Sequence, residues 1–136
     1  MKKLLINTDG AARGNPGPAG IGAVLKDEAG KVVFEISEYL GERTNNQAEY
    51  MALIRALTKA AEAGAEEINV FADSELMVKQ VKGLYKIKNE GLKPLFDEVK
   101  SLIRKFKGVN VSYVPRERNR EADKLANKAI DGHFGN

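Results

Sequence analysis

Two apolar runs of strand length in this chain lead directly to an aspartate, and a segment of helix length lies between them. Leu4-Leu5-Ile6-Asn7-Thr8 leads to Asp9, and Asn69-Val70-Phe71-Ala72 leads to Asp73. Between the two runs, Tyr50, Leu53, Ile54, Leu57 and Ala61 recur at helical spacing from Gln47 onward, and Gly64 closes the segment as a C-terminal cap. A strand-helix-strand connection is what a parallel pair requires. That constraint sets Asp9 and Asp73 side by side at one sheet edge, the geometry that an oxygen-ligated divalent metal wants.

The remaining elements extend this unit. Strand one is Lys3 to Thr8, followed by the Gly/Pro-rich turn Ala11 to Pro18; strand two is Ile21 to Lys26 and strand three Lys31 to Tyr39, with Asp27-Glu28-Ala29-Gly30 as the hairpin turn. Strand four is Glu67 to Ala72, a second helix runs from about Ser74 to Val81, and a third carries Leu92, Leu95, Phe96, Val99, Leu102, Ile103 and Phe106 on one stripe. Strand five is Val109 to Val114, ended by Pro115, and a last helix begins near Asn119. The expected fold class is α/β: a mixed five-stranded sheet flanked by helices, with residues 1–136 as one domain.

Composition narrows the chemistry. The absence of cysteine excludes disulfides, thiolate zinc sites and cysteine nucleophiles, and is compatible with a cytoplasmic location. No apolar stretch suits a signal peptide or a membrane span, so no membrane association is expected. The net charge of +3 is only mildly basic. Its distribution says more, because from Lys79 to Lys107 nine Lys and Arg face three acids. That segment reads either as a polyanion-binding surface or as a solvated helix face.

Two further acids fall at helix starts, Glu49 and Asp123. Three of the four have a structural reading: Asp73 as the N-cap of the helix at Ser74, Glu49 as the end of an Asn46-Gln47-Ala48-Glu49 capping box, Asp123 as a complement to the helix dipole. At 100° per residue, Glu49 and Asp123 lie at the borders of their apolar stripes, so both can point along the sheet edge. Four converging acids repel unless a cation neutralises them, and no Lys or Arg adjoins Asp9 or Asp73 in sequence.

These residues resemble a type 1 ribonuclease H. The matching motifs are Thr8-Asp9-Gly10 with Gly14-Asn15-Pro16-Gly17, Thr44-Asn45-Asn46-Gln47-Ala48-Glu49, Ala72-Asp73-Ser74, and Asn119-Arg120-Glu121-Ala122-Asp123-Lys124-Leu125-Ala126. The resemblance covers nearly the whole chain. It implies a ribonuclease H-like sheet in the order 3-2-1-4-5 with strand 2 antiparallel to the rest. It also implies Asp9, Glu49, Asp73 and Asp123 as catalytic, metal-binding acids, two Mg²⁺ ions with Mn²⁺ able to substitute, and an RNA/DNA hybrid cut endonucleolytically to 5′-phosphate and 3′-hydroxyl ends. Substrate contacts implied are Gly10, Asn15, Thr44, Asn45, Asn46 and Ser74, and the protein is expected to be a monomer.

The chain departs from the family pattern in three places. Leu84 to Gly91 stands where some relatives carry a basic protrusion, which shifts hybrid binding onto Lys79, Lys82, Lys86 and Lys88. The loop Pro115-Arg116-Glu117-Arg118-Asn119 has no histidine, so Arg118 or Arg116 is left to hold a phosphate or is a solvated loop charge. Glu75 stands where a Gln is common, and the lone His133 sits in the Gly132-His133-Phe134-Gly135 tail. The competing reading is a catalytically weak module that binds hybrid or double-stranded RNA. A nucleotide site at Gly14 to Gly22 is disfavoured, since its glycines do not give G-x-G-x-x-G and its prolines do not open a helix.

Overall fold

A computed structural model describes residues 2–135. Its sheet comprises β1 (Lys3–Ala12), β2 (Gly17–Lys26), β3 (Val32–Arg43), β4 (Glu67–Ala72) and β5 (Gly108–Tyr113), in the order β3-β2-β1-β4-β5. β1 runs parallel to β4 and β4 to β5, while β2 is antiparallel to both β1 and β3. The helices are α1 (Asn45–Glu62), α2 (Glu75–Val81), α3 (Lys93–Ile103) and α4 (Arg120–His133). Order and strand directions agree with those expected from sequence.

One layer packs α1 on the sheet, with α3 alongside α1. Leu4 and Ile6 of β1, Leu53 and Leu57 of α1, Val70 of β4 and Val99 of α3 belong to one buried core. The opposite face of β1 to β3 is covered by α4, through buried Ala122, Ala126 and Ile130. Among the described residues no helix is long and apolar enough to cross a membrane.

The first hairpin corrects the sequence reading. β1 does not stop at Thr8 but continues through Asp9 and Gly10 to Ala12, and β2 starts at Gly17 rather than Ile21. Gly20, outside the expected strand two, and Gly22, within it, are both strand residues that a helix presses against. A Cβ on Gly22 would lie 2.1 Å from the Ala122 carbonyl oxygen, and one on Gly20 would lie 2.5 Å from that of Ala126. In a strand, glycine also marks the close approach of another backbone, and here that backbone is α4. β3 likewise runs on to Arg43, and Phe106 lies beyond the end of α3. His133 is the last residue of α4, not part of a tail, and its ring stacks on Tyr39 at 3.8 Å between centroids.

Helix α1 starts two residues before the expected Gln47. Thr44 is its N-cap: the hydroxyl accepts from the Gln47 amide at 3.1 Å, and the Gln47 side-chain oxygen accepts from the Thr44 amide at 2.9 Å. This reciprocal pair satisfies two of the orphan donors at the helix start. Because the capping box falls on Thr44 and Gln47, Glu49 takes no part in it. Ser74 caps α2, its hydroxyl accepting from the Met77 amide at 3.3 Å, so Asp73 is not the cap either. Replacing Thr44 by Ala should cost about 1 kcal/mol of stability, seen as a lowered thermal midpoint. An unchanged midpoint would show that the cap contributes nothing.

Candidate active site

The parallel pairing of β1 with β4 ends at Thr8 opposite Ala72, and the next residue on each strand is an aspartate. Beyond that point β1 runs on beside β2, with Asp9 opposite Gly22, while the chain after Asp73 turns into α2. Asp9 and Asp73 therefore emerge together at the carboxyl ends of adjacent parallel strands, where open α/β sheets place their ligands.

Glu49 arrives from α1 because Gly10 has no side chain. A Cβ there would lie 2.3 Å from the Ala48 carbonyl carbon and 2.5 Å from the Glu49 nitrogen. At this close approach the Gly10 amide donates to the Glu49 carboxylate. Carboxylate oxygens of Asp9, Glu49 and Asp73 all lie within 4.8 Å of one another. Asp123, in the first turn of α4, comes close enough to Asp9 to raise its pKa. All four acids line one cleft of about 440 Å³, together with Gly10, Arg13, Asn45, Asn46, Ser74, Arg116 and Asn127.

The cluster is electrostatically uncomfortable on its own. Asp9 is only 6% exposed and Glu49 8%. Burial, followed by the charges of Glu49 and Asp73, pushes Asp9 up from 3.8 to about 10. Burial also lifts Glu49 to about 7, against the opposing Gly10 amide. Both shifts have the cause expected of carboxyls withdrawn from water beside like charges. Among the described residues no Lys or Arg pairs with Asp9, Glu49 or Asp73, and the nearest cation contact is Arg116 to Asp123 at 3.9 Å. An all-oxygen donor set with unneutralised charge fits a hard divalent cation.

The predicted substrate contacts divide. Asn45, Asn46, Ser74 and Gly10 line the cleft. Asn15 is tied to the start of α1, its side-chain oxygen accepting from the Asn45 amide at 3.0 Å, while the Asn45 oxygen accepts from the Ala12 amide at 3.0 Å. Backbone donors fix both oxygens, so each carboxamide NH₂ remains available to another acceptor. The Thr44 hydroxyl is engaged in its cap. Lys86 lies in a neighbouring depression with Asn46, Leu76, Leu84, Tyr85 and Lys88. Arg118 is absent from the acidic cleft and lines a separate depression with Asn7, Lys26 and Glu121. The reason is the 3₁₀ turn over Arg116–Arg118, in which residues two apart point in different directions, so that Arg116 is the one facing the acids. Glu75 does not line the cleft; it pairs with Lys79 at 3.0 Å, whose amine meets the Tyr85 hydroxyl at 3.3 Å.

Sequence reasoning missed Arg13 and Asn127. Arg13 pairs with Asp131 at 2.7 Å and donates to Asn127 at 3.2 Å, and Asn127 donates to the Asp123 carbonyl at 3.0 Å. The available signal was spacing, since Asn127 and Asp131 follow Asp123 at successive steps of four on one helix face.

Residues 7–129 match the family described as reverse transcriptase-like. The chain is 44% identical over 130 residues to the bifunctional protein Rv2228c of Mycobacterium tuberculosis, covering 95% of this chain and 36% of that protein. It is 43% identical over 123 residues to a ribonuclease HI of Halobacterium salinarum, covering 90% of this chain and 62% of that one. The chain thus spans about a third and about three fifths of these relatives' lengths. Among solved structures, the N-terminal RNase H domain of Rv2228c superposes with a TM-score of 0.92 at 44% identity, covering 95% of this chain and 99% of that one. The RNase H1 of Halobacterium salinarum gives 0.93 at 41% identity, covering 96% and 98%. LC11-RNase H1, solved in complex with an RNA/DNA hybrid, gives 0.92 at 46% identity, covering 96% and 99%. This chain belongs to the reverse transcriptase-like family, and within it to the ribonuclease H type. The family implies use of a divalent metal, for which the acidic cluster is the candidate site.

Proposed function

We propose that this chain is an endoribonuclease that hydrolyses the RNA strand of RNA/DNA hybrids, leaving 5′-phosphate and 3′-hydroxyl ends, with residues 1–136 acting as one ribonuclease H domain. The observation that carries the reading is the trio of carboxylates within 4.8 Å, without a paired cation, on the wall of an open polar cleft. The complex of LC11-RNase H1 with a hybrid supports the substrate class. Asp9, Glu49, Asp73 and Asp123 are the proposed catalytic acids and would hold two Mg²⁺ ions, with Mn²⁺ as a substitute. Bound there, such ions supply the activation of water and the stabilisation of the leaving oxygen in phosphodiester hydrolysis.

The chain's own residues then bind and orient the hybrid. Asn45 and Asn46 offer neutral hydrogen-bonding groups beside the acids, Asn15 is held next to them through the Asn45 amide, and Gly10 and Ser74 line the same cleft. Neutral donors and acceptors suit recognition of 2′-hydroxyls, the feature by which a protein tells RNA from DNA. Thr44 contributes through the cap that sets the Asn45 and Asn46 turn. Lys86, with Lys79, Lys82 and Lys88, supplies the salt-sensitive part of the affinity. The protein is proposed to act as a cytoplasmic monomer without membrane attachment.

Labelled hybrid, RNA duplex and DNA duplex incubated with the protein and Mg²⁺ test the reading. Cleavage confined to the RNA strand of the hybrid is expected, and intact hybrid with either Mg²⁺ or Mn²⁺ would sink it. Arg116, rather than Arg118, is proposed to hold a phosphate. Arg116→Ala should lower turnover by about 10-fold, the loss of one charge-assisted hydrogen bond, with Mg²⁺ affinity little changed. Arg118→Ala should leave turnover within about twofold. The reverse ranking would return the role to Arg118.

A further inference from the structure

The side chain of Asn119 is 1% exposed and lies outside the acidic cleft. It occupies the N-cap position of α4 yet makes no capping hydrogen bond. Instead it turns into the protein. Its Nδ2 donates to the Thr8 carbonyl at 2.8 Å, and its Oδ1 accepts from Asn7 Nδ2 at 3.0 Å. Thr8 is the last residue of β1 paired with β4, and Asp9 follows it. An N-cap asparagine ordinarily stabilises its helix by accepting from the first turn. Here that contribution is forgone, and the carboxamide bridges two elements 111 residues apart in sequence.

The bridge leads to the acids by a short path. The Asn119 carbonyl accepts from the Asp123 amide at 3.1 Å, one turn of α4. Asp9 is thus joined to Asp123 through one peptide bond, one buried side-chain hydrogen bond and one helical hydrogen bond. At the other side of Asp123, Asn127 donates to its carbonyl at 3.0 Å and to its carboxylate at 3.3 Å. Other polar contacts hold α4 at exposed positions, Ser37 Oγ donating to the Leu125 carbonyl at 2.7 Å, Lys26 pairing with Glu121 at 3.0 Å and Arg13 with Asp131 at 2.7 Å. The Asn119 bond to Thr8, by contrast, is buried and sits at the helix start, next to Asp9 in the chain. A buried directional hydrogen bond resists sliding as well as separation, and this one does so at the turn that carries Asp123.

We propose that Asn119 is the positioning residue of the site, locking the first turn of α4 to β1 so that Asp123 stands at one register against Asp9. This role rests on the proposed function of the four carboxylates. It requires Asn119 to act through Asp123 and not through general stability.

The test is a double-mutant cycle of Asn119→Ala with Asp123→Asn, read by hybrid cleavage and by calorimetric titration with Mg²⁺ alone. Asn119→Ala should lower kcat by about 100-fold, as misplacement by an ångström does, with KM within about threefold. In the Asp123→Asn background the same change should cost less than about threefold, because its target is already gone. Asn7→Ala, which removes only the partner that orients the carboxamide and leaves the buried residue in place, should give a smaller loss of the same kind in a stably folded protein. Mg²⁺ affinity should fall in Asn119→Ala to the level of Asp123→Asn. Additive losses across the cycle, or wild-type Mg²⁺ affinity in folded Asn119→Ala, would overturn the proposal. The titration needs no nuclease activity, so a wild type that fails to cleave would refute the function while the positioning role is still decided.

Discussion

Asp9→Asn should abolish hybrid cleavage, by on the order of 1,000-fold or more, and should at the same time stabilise the protein stripped of divalent metal. The two effects have one cause. Asp9 is buried among Glu49, Asp73 and Asp123, so its charged form is disfavoured until a cation joins it. In the metal-free protein its pKa is raised from 3.8 to about 10, and that of Glu49 from 4.5 to about 7. Between the unfolded and folded values the native state keeps protons that the unfolded chain releases, so unfolding free energy falls as pH rises. The stabilising contribution is fully present below about pH 4 and declines through the neutral range. Glu49 stops contributing slope near 7, and Asp9 continues into the alkaline range. The thermal midpoint without metal should therefore rise as pH drops from 8 to 5, and Asp9→Asn should flatten that rise. At pH 8 the neutral side chain should add on the order of 2 kcal/mol, since a tenfold change in proton affinity corresponds to about 1.4 kcal/mol. Mg²⁺ should stabilise the wild type more than the variant. A metal-free midpoint independent of pH between 5 and 8 would show that the acids are not strained by one another.

Much of this was legible in the sequence because the periodicities carry it. The strand-helix-strand unit fixed β1 beside β4, and with it the pairing of Asp9 with Asp73, since the connection admits little else. Glu49 and Asp123 were placed by helical phase. What could not be read was the depth of the contacts. Gly20 lies just outside the strand two read from sequence and Gly22 inside it, and only the packed helix shows the two to be a groove for α4. Thr44 and Asn46 both qualify as caps by residue type, and the choice between them is made by where β3 ends, at Arg43. Arg116 and Arg118 are equivalent in a loop without defined backbone; a single 3₁₀ turn separates their directions. Asn119 carries a capping signature by type and position, and its actual partners lie on β1, where no local pattern points.

Gly10→Ala is the change in which packing and chemistry should fail together. The added methyl would meet the Ala48 carbonyl carbon at 2.3 Å, its oxygen at 2.4 Å and the Glu49 nitrogen at 2.5 Å, all backbone atoms that no rotamer change can move aside. The first turns of α1 must back away from β1, while Leu53 and Leu57 further along the helix remain held in the core. Tilting a helix against a close-packed layer costs about 1–3 kcal/mol, and the same tilt withdraws Glu49 from the Gly10 amide and from Asp9 and Asp73. Turnover should drop by about 100-fold even at temperatures where the variant is fully folded. Gly132→Ala serves as the contrast, because a Cβ there meets nothing within 4 Å and the residue lies in α4. That variant should keep full activity and gain about 0.5–1 kcal/mol from helix propensity. If folded Gly10→Ala cleaves hybrid at the wild-type rate, the tight contact between β1 and α1 is not what sets Glu49 among the acids.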